Sequence, residues 1–190
     1  MLDKVLLQIA KSSILSQFDS SYKINKGKLL EKFPYLAKNG AAFVTLHYNG
    51  NLRGCIGSIV AHRSLLDDVI ANAFSAAFSD PRFEPLALKE CLHVRLEVSV
   101  LSEPKVLEYD DYPDLLTKLR PKIDGLIIKH GSYQGTFLPQ VWDELPTPHE
   151  FLQHLSRKAG ANPSIYTEHP TIYRYCVDAR EEDFDAILPL

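Results

Sequence analysis

The sequence predicts an α+β protein built on an antiparallel β-sheet with flanking helices. Three observations carry this prediction. Strand-like segments arrive as hairpins, with no strand–helix–strand alternation. Asn49-Gly50 separates two such segments, and a type I′ turn needs two residues that tolerate positive φ. The run "LHVRLEVSV" alternates strictly, with Leu92, Val94, Leu96, Val98 and Val100 on one side and His93, Arg95, Glu97 and Ser99 on the other.

The elements follow in order. Leu2, Val5, Leu6, Ile9 and Ala10 recur at helical spacing, extended by Ile14 and Phe18, so the chain opens on an amphipathic helix. "DSSYKINKGK" reads as a polar linker, and "LLEKFPYLAKNG" as a turn or short helix broken by Pro34. "AAFVTLHY" is rich in β-branched and aromatic residues and forms the first strand. Its hairpin partner runs from about Asn51 to Val60. "SLLDDVIANAFSAAF" is helical, with Leu65, Val69, Ala73 and Ala76 or Ala77 along one side, and Pro81 and Pro85 stop it. After the alternating strand, "YPDLLTKLRP" is a short helix and "DGLIIKHGSYQGTFLPQV" a second hairpin. Pro139 has no N–H to donate, so its strand lies at an edge or ends there. "TPHEFLQHLSRKAG" is a punctuated helix: Thr147 caps it, Pro148 opens it, Glu150 completes a capping box and Gly160 follows its end. "TIYRYCVDA" is a late strand and "REEDFD" a solvated acidic tail.

The chain has 190 residues, 45% hydrophobic and 24% charged, enough for one cored domain spanning residues 1–190 with room for a smaller lobe packed against the main sheet. A formal charge of −3 argues against nucleic-acid binding, which favours a basic surplus. No apolar run approaches the ~20 residues that cross a bilayer. Three distant cysteines, an odd number, argue for reduced thiols and a cytoplasmic setting. Neither a CxxC pair nor an HExxH helix is present, so no metal is expected; no phosphate-cradling glycine loop is present, so no cofactor is expected.

The segment "NLRGCIGS" is the odd one. Glycine weakens a strand, yet Gly54 and Gly57 flank Cys55. A two-residue turn pairs Tyr48 with Asn51, Leu46 with Arg53 and Val44 with Cys55. Arg53, Cys55 and Leu46 then share one face, and His47, Leu52 and Ile56 the other. Arg53 sits roughly 6.5 Å along the strand from Cys55 and would favour its thiolate. His47 would point away. Bare backbone at Gly54 and Gly57 permits a bulge or the close approach of a ligand. The plainer reading makes Cys55 a buried small hydrophobe and lets the glycines accommodate a crossing helix. His62, His93 and His130 are candidate bases, and Glu97 shares the polar side of its strand with His93. Asp80 and Arg82 could form a contact beside a cleft, although "SDPRFEP" reads more simply as a helix stop.

Several segments together resemble the AMMECR family. They are the hexapeptide Leu52–Gly57 within "GAAFVTLHYNGNLRGCIGSI", "DPRFEPL", "LEVSVLSEP", "GTFLPQVWDE" and "FLQHLSRKAG". The nearest prokaryotic grouping is AmmeMemoRadiSam system protein A. The resemblance implies an α+β fold of two unequal lobes with the hexapeptide near the groove between them. It implies Memo-like and radical-SAM proteins as partners and carries no established activity. The matched candidate positions are Arg53, Gly54, Cys55, Gly57, Asp80, Arg82, Glu97, Pro139 and Gln140. Two functional readings follow. One is an enzyme with Cys55 as nucleophile or redox thiol, Arg53 steadying it and Glu97 or a histidine moving protons. The other is a binding protein whose groove takes a peptide or partner, with Arg53 gripping a carboxylate. Oligomeric state is not legible.

Overall fold

A computed structural model describes residues 2–190. The chain divides into two units, one comprising the residues up to Leu101 together with Asp178–Leu190, the other Ser102–Val177. Each is built on its own four-stranded sheet of antiparallel pairs.

In the first unit, strands β1 (Ala41–Tyr48), β2 (Asn51–Gly57), β3 (Val94–Leu101) and the later β8 (Val177–Asp183) lie in the order β2-β1-β3-β8. Val44 and Leu46 of β1 pair with Val98 and Leu96 of β3, and all four are fully buried. Helix α1 (Val5–Leu15) buries Leu6, Leu7, Ile9 and Ile14 in the same core. Helix α3 (Leu65–Phe78) adds Leu66, Val69, Ala73 and Ala76. Ser64 caps α3 by accepting the Asp67 N–H at 3.1 Å. Truncating a side chain such as Leu46 to alanine would cost about 2–5 kcal/mol. Asn49 and Gly50 both have positive φ, +50° and +80°, as the type I′ turn requires.

Four expectations need correction. Helix α1 ends at Leu15, short of Phe18, whose ring packs edge-on to Phe78 with centroids 5.6 Å apart. Helix α2 (Lys26–Lys32) begins inside the expected linker and runs into the segment read as a turn or short helix, because Asn25 caps it by accepting the Lys28 N–H. Residues Leu88–His93 form a 3-10 turn, so β3 starts at Val94 and Leu92 faces solvent instead of the core. The acidic "REEDFD" is not a solvated tail. It continues strand β8, where Glu181, Glu182 and Asp183 meet Arg95, Lys4, Arg180 and His47, and it ends on the buried Phe184.

In the second unit, β4 (Lys105–Val106), β5 (Gly125–His130), β6 (Tyr133–Phe137) and β7 (Thr171–Tyr175) lie in the order β4-β7-β5-β6. Helices α4 (Tyr112–Lys118) and α5 (Pro148–Lys158) belong to the same unit. As expected from Pro139, β6 is an edge strand and stops before it. Trp142 stacks on Phe151 at 3.9 Å in the core, and its indole N–H donates to the Asp124 carbonyl at 2.7 Å. The punctuation of α5 is present: Thr147 accepts the Glu150 N–H, and Gly160 follows with φ +85°. The late strand is two strands. It breaks at Cys176, so β7 pairs in the second sheet and β8 in the first.

Candidate functional site

The site is decided by one extra residue in β2. Tyr48 pairs with Asn51 and His47 with Leu52, and then the register shifts. Leu46 faces Gly54, Thr45 faces Cys55, Val44 faces Ile56 and Phe43 faces Gly57. Arg53 is the inserted residue of a β-bulge. The expected pairing of Cys55 with Val44 is therefore wrong by one position. A one-residue slip moves a side chain to the other face of the sheet.

Beyond the bulge, Cys55 shares its face with Phe43, Thr45 and His47, and through β3 with Glu97 and Ser99. Cys55, Thr45 and Glu97 form one row across three strands. The Thr45 hydroxyl donates to Cys55 Sγ at 3.3 Å, and the Ser99 hydroxyl donates to Glu97 Oε1 at 2.8 Å. His47, expected to point away, lies in the adjoining row, a diagonal neighbour of Cys55 about 7–8 Å away between backbones. Its Nδ1 is buried without a hydrogen bond and stands 3.4 Å from Glu181 Oε1. The proposed bases His62 and His93 are elsewhere: His62 Nδ1 meets its own loop at Val60 O, and the His93 ring packs edge-on to Tyr48. His130 belongs to the second unit and pairs with Glu168.

Arg53 does not serve Cys55. Its Nε and Nη2 donate to the two carboxylate oxygens of Glu90, each at 3.0 Å. That pair holds the Glu90 carboxyl below its ordinary range, chiefly through the Arg53 hydrogen bonds. The Nε–Nη2 edge is filled by Glu90, so a partner's carboxylate would have to displace Glu90 to be gripped bidentately there.

The cation beside Cys55 is Arg82. Its Nη2 donates to the Cys55 carbonyl at 3.2 Å, while Asp80 Oδ2 accepts the Cys55 N–H at 2.9 Å. Arg82 and Asp80 also pair through Nε–Oδ1 at 2.9 Å and Nη2–Oδ2 at 2.7 Å. β2 is an edge strand, and both outward-facing groups of the Cys55 peptide are thereby closed. Asp80 is buried, and the Arg82 hydrogen bonds hold its carboxyl far below the usual range against the opposing cost of burial. "SDPRFEP" therefore does more than stop a helix.

The glycines are not openings for a ligand. A Cβ on Gly54 would stand 2.1 Å from the carbonyl oxygen of Ala76, so α3 crosses directly on that backbone. A Cβ on Gly57 would stand 2.2 Å from the Phe43 ring, which lies over it. A crossing helix accounts for Gly54, whereas Gly57 makes room for a side chain of the neighbouring strand.

The AMMECR1 family model matches residues 7–179, more than nine-tenths of the chain. The chain belongs to the AMMECR1 family. Its AMMECR1 relatives include a protein of Methanothermobacter thermautotrophicus, 35% identical over 187 residues and covering 95% of this chain and 94% of that one. Protein MJ0810 of Methanocaldococcus jannaschii is 37% identical over 172 residues, covering 85% and 83%. The crystal structure of uncharacterized protein PH0010 from Pyrococcus horikoshii matches with a TM-score of 0.80 at 32% identity, covering 95% of this chain and 91% of that one. The AMMECR1 fold here places two expected residues, Pro139 and Gln140, on a 3-10 turn (Pro139–Asp143) of the second unit, where Gln140 is exposed.

Sequence reading missed Thr45 altogether, since an isolated threonine in a strand carries no signal of its own. It also missed a buried network behind the hairpin. Asp68, fully buried, accepts from Ala42 N at 2.8 Å, Ser58 Oγ at 2.6 Å, Arg63 Nε at 2.7 Å and Asn72 Nδ2 at 3.0 Å. Four donors on one carboxylate satisfy it, and they tie the end of β2 to α3 and β1.

Proposed function

We propose that this AMMECR1-family protein is an enzyme whose chemistry centres on the Cys55 thiol. The observation that carries this reading is the row Cys55–Thr45–Glu97 with the unsatisfied His47 nitrogen on the same face. A thiol that accepts a hydroxyl hydrogen bond, on a sheet face that also carries a carboxylate and an imidazole, suits nucleophilic or redox cysteine chemistry. Thr45 and Arg82 replace Arg53 in the role of polar support. Arg82 supplies a fixed charge through the adjoining peptide, and Asp80 holds Arg82 in place. Glu97 and His47 are the groups available to carry the thiol proton. Memo-like and radical-SAM proteins, implied by the family resemblance, are the proposed partners.

The test is competitive alkylation of the native protein by iodoacetamide, with each cysteine followed by peptide mass. Cys55 should label well ahead of Cys91, which is buried and whose thiol burial pushes upward. Thr45→Val should slow Cys55 several-fold without slowing Cys176. A Cys55 that stays unlabelled until the protein is denatured would remove the reading.

A further inference from the structure

A cavity of about 700 Å³ lies in the first unit, separate from the face that carries Cys55. Its wall is mostly apolar, with Leu15, Tyr22, Leu88, Leu92 and Phe184 contributing. Leu88 is 55% exposed and Leu92 70% exposed, an unusual state for two neighbouring leucines. In this apolar wall sits Lys11, only 8% exposed.

Two of the three ammonium hydrogens are spent. Lys11 Nζ donates to the carbonyl oxygens of Phe184 at 2.6 Å and Ile187 at 2.7 Å, which pins the C-terminal segment. The third has no hydrogen-bond acceptor among the described residues, where no carboxylate comes within 4 Å of the charge and the Phe184 ring centroid lies 4.9 Å from it. Asp185 lines the same cavity but does not close to an ion pair, and Lys89 adds a second cation. Burial lowers the Lys11 pKa, and the Asp185 carboxylate, acting at a distance, pulls against it. Buried charges are ordinarily ion-paired, so an ammonium held by two carbonyls and a ring face in an apolar cavity suits a ligand with one negative head and an apolar body.

We propose that this cavity binds a small amphipathic carboxylic acid, its carboxylate on the third Lys11 N–H and its hydrocarbon tail against Leu15, Leu88 and Leu92. The site is independent of the Cys55 reading and survives if that reading fails.

The experiment is calorimetric titration of the full chain with decanoate, decan-1-ol and acetate, each below its aggregation limit. Decanoate should bind at one site per chain. Decanol should bind at least tenfold more weakly for want of the charge, and acetate should give no signal for want of the tail. Leu92→Glu, at a solvent-facing position that leaves the fold intact, should weaken decanoate at least tenfold. Lys11→Met, checked for folding by circular dichroism, should bring decanoate and decanol to within about twofold of each other. Equal binding of decanoate and decanol by the native protein, unchanged binding by Leu92→Glu, or no decanoate binding at all would each overturn the proposal.

Discussion

At the scale of single residues, the arginines divide the labour differently from what proximity in sequence suggests. Arg53 is two positions from Cys55 yet is committed to Glu90, whereas Arg82, far along the chain, reaches the Cys55 peptide. A double-mutant cycle on Arg53→Gln and Glu90→Gln should return a coupling of about 1–2 kcal/mol, because the pair is bidentate and only partly exposed. Asp80 gives a pH signature. Its folded pKa is depressed, so its contribution is fully present above the unfolded value of about 4 and is lost as pH falls through the folded value. Urea unfolding from pH 7 down to pH 3 should therefore show acid loss in the native protein. Asp80→Asn should be less stable at pH 7 and should lose less on acidification. Neither partner choice was legible in sequence, since ion pairing of distant residues depends on tertiary placement.

At the scale of elements, the bulge in β2 is the decisive feature. Helices α1, α3, α4 and α5, the hairpins, the edge position of β6 and the capping of α5 were legible, because periodicity, turn chemistry and proline act locally; the start of α2 inside the polar linker was not. The face of Cys55 was not, because one inserted residue inverts everything after it. The clue was present in Gly54, since a glycine inside a strand often marks a bulge or a close backbone approach, and here it marks both. Gly54→Ala forces a methyl into the Ala76 carbonyl and should destabilise by about 2–3 kcal/mol in urea titration. Gly50→Ala, which meets no atom within 4 Å but has φ +80°, should cost only about 1 kcal/mol. The acidic strand β8 was missed for a related reason. Its charges look solvated in isolation and become partners only once Lys4, Arg95 and Arg180 are placed beside them.

At the scale of the whole molecule, the α+β class and the family were legible, while the split of "TIYRYCVDA" between two sheets was not, since its alternating pattern runs unbroken across Cys176. Chemistry at Cys55 requires that its thiol faces Thr45, on the sheet face of Glu97, and not Val44. Because the Cys55 backbone groups point outward to Asp80 and Arg82, Cys55 and Thr45 form a non-hydrogen-bonded pair, whose side chains approach most closely. The direct measurement is disulfide trapping under mild oxidation, read by peptide mass, in Thr45→Cys and Val44→Cys variants. The bulged register predicts rapid cross-linking of residue 45 to Cys55 and none from residue 44. Cross-linking from residue 44, with residue 45 inert, would contradict it.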